Sequence, residues 1–136
     1  MARQPTHVLD ACALITYLKG EMGNERLAEL LADDENTLAI HILNLCEVYS
    51  CYYRTDGQPQ AQVAWEQAAR ILQICSPIDE GFTKLVARWK VVQGLYMLDA
   101  VAAATAEKYA CPLLTTDHNH FDPIVAMGLI TVEFLR

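Results

Sequence analysis

The chain has 136 residues, 53% of them hydrophobic and 20% charged, with a formal net charge of −7. That length suits one domain around one buried core, so residues 1–136 are read as a single domain. The acidic balance excludes a protein that grips nucleic acid through a broad basic face, and no apolar run reaches the roughly 18 to 20 residues of a membrane span.

In chain order, residues 6–10 are short, apolar and β-branched, and predict a buried first strand with Asp10 at its carboxyl end. Leu14, Ile15 and Leu18 then fall at helical spacing, and Gly20 and Gly23 end that helix. Asn24 is placed to cap a second helix striped by Leu27, Leu30 and Leu31, after which residues 37–40 read as a second strand. Residues 41–54 are apolar nearly all round, which predicts a helix that is central or packed against a second chain as well as its own core. Its one acid is Glu47.

Asp56 and Gly57 form a turn, and Pro59 suits the first turn of a helix continued by Ala61, Ala64, Trp65, Ala68, Ile71 and Leu72. Residues 72–76 are a short third strand. Asp79 caps the next helix, whose Phe82, Leu85, Val86 and Trp89 lie on one side. An alanine-rich helix follows, beginning at Asp99 and ending near Ala110, and residues 112–115 make a fourth strand with Asp117 directly after it. Residues 118–127 read as a short helix or turn and residues 128–135 as a last strand. Strands separated by helices predict an α/β fold, a parallel sheet between helical layers.

The start of the chain holds no signal-peptide block, and a cytoplasmic protein is expected. Cys12, Cys46, Cys51, Cys75 and Cys111 are odd in number and form no C-x-x-C pair, which argues against a disulfide framework or a zinc knuckle. They are expected to be reduced and mostly buried.

Four acids occupy comparable places: Asp10 after the first strand, Glu47 in the apolar helix, Asp99 at a helix start and Asp117 after the fourth strand. Singly, each Asp reads as a turn or cap residue. Glu47 is less easily dismissed, because an ionised carboxylate among apolar neighbours must be paired, and no Lys or Arg lies within one turn of it. Carboxylates crowded together without a basic partner imply a cation. Oxygen ligands favour a hard ion, Mg²⁺ or Mn²⁺, which suits hydrolysis of a phosphodiester. The chain lacks G-x-x-x-x-G-K-[ST], which excludes a P-loop enzyme. It also has Cys12 where a haloacid-dehalogenase-like phosphatase would need an Asp, and only Cys75 and Ser76 where a receiver domain would carry its phosphoacceptor.

Val8-Leu9-Asp10, Leu45-Cys46-Glu47, Leu98-Asp99-Ala100 with the alanines behind it, and Leu114-Thr115-Thr116-Asp117 ending in Phe121 resemble the four acidic motifs of PIN domains, in particular VapC-type toxins. The resemblance spans nearly the full length. It implies a three-layer α/β/α sandwich with a central parallel sheet and a divalent-metal-dependent endoribonuclease that leaves a 5′-phosphate. It also implies that Asp10, Glu47, Asp99 and Asp117 hold Mg²⁺ or Mn²⁺, with Thr115 orienting a carboxylate or water. RNA would be the substrate, and a cognate antitoxin and a second copy of the chain the partners, both served by the 41–54 helix. A non-toxin PIN ribonuclease and a catalytically silent PIN-like interaction module are the alternatives. Cys12 stands where the family usually has Ser, Thr or Asn, and His120 where many relatives carry an acid, with Asp122 the nearest acid beyond it. His120 is read as a surface or capping residue. Arg54, Arg88 and Lys90 are weighed as substrate contacts but expected to be solvated, and Trp65, Trp89 and Tyr96 are assigned to the core.

Overall fold

Val8 and Leu9 leave the backbone on opposite sides, so the strand that carries them needs cover on both faces. In the computed structural model, which describes residues 2–136, that strand is the middle of a five-stranded sheet. The chain runs β1 (His7–Leu9), α1 (Ala11–Leu18), α2 (Asn24–Ala32), β2 (Leu38–His41), α3 (Ile42–Asp56), α4 (Gln58–Ile71) and β3 (Gln73–Cys75), then α5 (Glu80–Gln93), α6 (Met97–Tyr109), β4 (Leu113–Thr115), α7 (His118–Met127) and β5 (Val132–Phe134). Strand order is β3-β2-β1-β4-β5, and every neighbouring pair is parallel.

Two cores lie on the two faces of this sheet, as a three-layer α/β/α sandwich requires. Val8 and Leu113 pack with Phe82, Val86, Trp89 and the alanines of α6 on one face, under α5, α6 and α7. Leu9, Leu38, Ile40 and Leu114 pack with Leu14, Leu27, Leu45, Val48 and Ala68 on the other, under α1 to α4. The period-two alternation of each strand deals its side chains between these cores. Alanines let α6 lie close against the sheet: residues 100–106 are all buried.

Several expectations shift once packing is visible. The first strand is confined to His7–Leu9, because the Asp10 carboxylate turns to cap α1. The last strand is Val132–Phe134 rather than 128–135, since Gly128 (φ +67°) ends α7 in a left-handed conformation that costs glycine little. The third strand is likewise trimmed to Gln73–Cys75. The cysteines are all free, yet only Cys75 is buried; Cys12 and Cys46 are exposed because helix starts and outer faces put them there. The apolar α3 owes its second covered side to α4, where Tyr49 meets the Trp65 ring edge-on at 6.0 Å and Gln58 Nε2 donates to the Tyr49 hydroxyl at 3.2 Å. Exposed apolar side chains include Tyr53 on α3 and Val63 on α4, Ile78, Val91, Val92, Tyr96 and Met97 around α5 and the start of α6, and Val125, Met127 and Leu129 around the end of α7. No helix among the described residues is long and apolar enough to cross a membrane.

From β1 the chain moves through β2 to β3 on one side of the sheet, and β4 and β5 lie on the other. Strand order therefore reverses between β1 and β4. In open parallel sheets the crevice outside the carboxyl ends at such a reversal is where ligands bind.

Candidate metal centre

The register of β1 on β4 builds the floor of that crevice. Leu9 pairs with Leu114, so the next residues along, Asp10 and Thr115, are neighbours across the strand ends, and Asp10 N–H donates to Leu114 O at 3.2 Å. Asp10 is buried and caps α1, with its Oδ1 accepting from Ala13 N–H at 2.9 Å. Its Oδ2 takes the Thr115 hydroxyl, whose oxygen in turn accepts from Asp117 N–H at 3.0 Å. One buried threonine thus ties the two acids. Burial pushes the Asp10 carboxyl up to about 7, with the charges of Asp99 and Asp117 adding to the rise and the Thr115 and Ala13 bonds opposing it.

Thr115→Val keeps the shape of this fully buried side chain but strips Asp10 Oδ2 and Asp117 N–H of their shared partner. An unsatisfied buried polar group costs about 1 to 3 kcal/mol. The variant is therefore expected to unfold in urea with about 2 kcal/mol less stability, and a parent-like midpoint would mean that the hydroxyl does not join the two acids.

Asp99 is not the cap of its helix. Tyr96 holds that position without a side-chain cap bond, and Asp99 is the third residue of α6. Freed from capping, it lies in the first helical turn, where the dipole favours an anion. Asn44 on α3 secures this turn by donating from Nδ2 to Leu98 O at 3.0 Å. The Asp99 carboxyl is raised, first by burial, with the His120 side chain lowering it and Asp117 raising it.

Asp117 caps α7, accepting at Oδ1 from His120 N–H at 3.2 Å, while its Oδ2 lies 2.5 Å from His120 Nδ1. The same nitrogen is 3.6 Å from Asp99 Oδ2. Asp99, Asp117 and His120 each offer one ligand atom, all within 4.8 Å of one another. The bond from Asp117 raises the His120 imidazole above the usual histidine range. Sequence reasoning set His120 aside as a surface or capping residue. The signal that finds it is its spacing: a His three residues after a capping Asp returns to the cap carboxylate across the first turn. Asp122 does not take its place, for its carboxylate faces His118 Nδ1 at 2.8 Å.

Glu47 differs from its description as an acid enclosed by apolar neighbours. It is on the exposed side of α3, one turn beyond Asn44, and makes no hydrogen bond among the described residues. Its carboxyl is raised, by partial burial first and then by the charge of Asp99, with Arg54 opposing. Solvent, rather than a buried counter-charge, balances it. The Cys12 thiol lies within electrostatic reach of Asp10, Asp117, Glu47 and Asp99; packing around it and these four charges push it up to about 12, so it is a thiol and not a thiolate.

Of the remaining candidates, Arg88 pairs with Glu107 and is not free for substrate, and Trp89 is core. Trp65 packs against the core through its contact with Tyr49. Tyr96 is 73% exposed, and its ring meets His120 edge-on at 5.6 Å. It is therefore not the core residue that the sequence suggests, but stands exposed beside His120.

The donor set fits a divalent cation. Asp10, Glu47 and Asp99 all have raised carboxyls, from burial first and then from a neighbouring acid, Asp99 or Asp117, and a bound cation would oppose both causes. A parallel α/β/α sheet with acids gathered at its switch point defines a class of α/β proteins. Within that class, the PIN domain family model matches residues 7–124, and the chain belongs to the PIN-domain family.

Solved structures agree in fold. VapBC2 from Rickettsia felis, bound to a DNA fragment from its promoter, superposes with a TM-score of 0.75 at 19% identity, covering 94% of this chain and 97% of that one. DNA-bound VapBC from Salmonella typhimurium gives 0.75 at 14% identity, with 97% and 99% covered. VapC20 from Mycobacterium tuberculosis, described as a Sarcin-Ricin loop cleaving toxin, gives 0.67 at 14% identity, with 86% and 94% covered. Comparison with curated proteins produced no match.

Proposed function

We propose that this chain is a divalent-metal-dependent endoribonuclease that hydrolyses RNA phosphodiester bonds with Mg²⁺ or Mn²⁺, and that it is the toxin of a type II toxin-antitoxin pair. The observation that carries the reading is the convergence of Asp99 and Asp117 at the switch point, with Asp10 tied to Asp117 through Thr115 beside them. Family membership and the VapBC neighbours support it.

Asp10, Glu47, Asp99 and Asp117 would hold the ion, which when bound lowers the pKa of water and offsets phosphate charge. Both oxygens of Asp10 and of Asp117 already accept hydrogen bonds, so these two carboxylates are fixed in orientation. Glu47 is exposed and unengaged among the described residues, and its raised carboxyl suits it to take a proton from water attacking the phosphorus. Tyr96 offers an exposed ring on which an unpaired base can stack. The exposed apolar residues around α5, Ile78, Val91, Val92 and Met97, offer the surface for an antitoxin or a second copy of the chain.

Cleavage of end-labelled single-stranded RNA is expected with Mg²⁺ or Mn²⁺ and none in excess EDTA, with 5′-phosphate ends on the products. Cutting undiminished by EDTA would overturn the metal-dependent reading, and intact RNA at saturating Mn²⁺ would leave the silent interaction module. Tyr96→Ala should weaken RNA binding by roughly 5-fold to 100-fold, the worth of one stacked base, with Mn²⁺ affinity unchanged. Filter binding in Ca²⁺ measures the first, and parent-like RNA affinity would return Tyr96 to a purely structural place.

A further inference from the structure

Resting on the metal-dependent reading above, we propose that His120 is itself a ligand of the divalent ion, its ring nitrogen joining the carboxylates of Asp99 and Asp117 and turning ion preference from Mg²⁺ toward Mn²⁺ and the later first-row metals. The four-acid reading supplied oxygens only. Folding places a nitrogen among them.

The spacing supports coordination. Donors bound to one ion at 2.0 to 2.2 Å stand about 3 to 4.4 Å apart. Nδ1 of His120 is 3.6 Å from Asp99 Oδ2, and the three ligand atoms share a space no wider than 4.8 Å. The shorter contact with Asp117, 2.5 Å, is that of a shared hydrogen, which a cation replaces.

The ring is also held in place before any ion binds. Its residue lies in the first turn of α7, with the backbone N–H on Asp117 Oδ1 and the Tyr96 ring edge-on against the imidazole. A surface histidine without such contacts would sample many rotamers.

Competing donors are accounted for. Asp122, the other carboxylate of this segment, is engaged by His118, which also reaches Arg136 O at 2.8 Å. Cys12 does not join the group of three. Imidazole suits Fe²⁺, Ni²⁺, Cu²⁺ and Zn²⁺ best, and Mn²⁺, which shares the oxygen preference of Mg²⁺ but opens the first-row series, accepts it more readily than Mg²⁺, which takes oxygen and water. A nitrogen in the set therefore penalises Mg²⁺ relative to the others.

Pulsed electron paramagnetic resonance of Mn²⁺ bound to the intact protein reads this directly. The parent is expected to show the modulation of a directly bound imidazole nitrogen, which shifts when the protein is labelled with ¹⁵N-histidine. His118→Gln should keep the signal and His120→Gln should lose it. In calorimetric titrations His120→Gln should lower Mn²⁺ affinity about 10-fold or more and Mg²⁺ affinity by less than about 3-fold. Mn²⁺ that binds the parent without histidine-nitrogen modulation would overturn the ligand assignment while leaving the acidic metal centre standing. Absence of Mn²⁺ binding would overturn both. If His120→Gln fails to fold, the labelled parent and His118→Gln spectra decide together, since loss of the signal in His118→Gln would overturn the assignment to His120.

Discussion

Asp99→Asn is expected to lower RNA cleavage about 1,000-fold or more while the protein stays folded. Asn has the same shape, and the Asp99 side chain accepts no hydrogen bond among the described residues, so neither a cavity nor an orphaned donor results. What is lost is a charge in the group of three where the ion would sit. A bound divalent ion supplies several kcal/mol of transition-state stabilisation, and each 1.36 kcal/mol is a factor of 10. Initial rates on single-stranded RNA at saturating Mn²⁺ measure the effect. Parent-like cutting by the variant would remove Asp99 from the reaction.

The second large effect is a reversal: Asp10→Asn should inactivate the protein and stabilise its metal-free form at pH 8. In the folded chain the Asp10 carboxyl keeps its proton to about 7, against a starting value of 3.8. Between those two values the folded state holds a proton that the unfolded chain has released, so stability falls as pH rises through this window and the loss is complete above it. Three units correspond to roughly 4 kcal/mol as an upper bound. Asn loses one of two accepting oxygens, a cost of about 1 kcal/mol, which is smaller than the charge it removes, and it remains a good helix cap.

Asp99, Glu47 and His120 are also raised and add to the fall with rising pH, while the lowered His7 and His41 oppose it. The difference between parent and variant isolates Asp10. Urea unfolding in EDTA at pH 5 and pH 8 should show the variant gaining on the parent at the higher pH, and excess Mn²⁺ should stabilise the parent more than the variant. Equal behaviour at both pH values would mean that the Asp10 carboxyl is not raised.

The elements were legible because each rests on local chemistry. Gly128 ends α7 at positive φ, Asp79 caps α5, and Leu27 and Leu30 lie on the buried side of α2, although the cap of α2 is Gly23, at φ +103°, and not Asn24. The same local logic misjudged Asp99, since an Asp near a helix start reads as a cap whether or not it is two residues inside. For α3 it left two coverings open. An all-apolar helix shows that something covers its second side, and only packing reveals that α4 does so.

The sequence by itself determined the alternation of strands and helices, the apolar strands buried on both faces and the residue types available for chemistry, because these follow from periodicity and side-chain character along the chain. Tertiary structure alone decided which donors meet. His120 stands with Asp99, Glu47 lies on the exposed side of α3 within electrostatic reach of Asp99, Asp122 pairs with His118, and Tyr96 is exposed beside His120. Those outcomes depend on the sheet order that sets β4 beside β1 and on the angle at which α6 and α7 leave the crevice, quantities fixed by contacts between residues far apart in the chain.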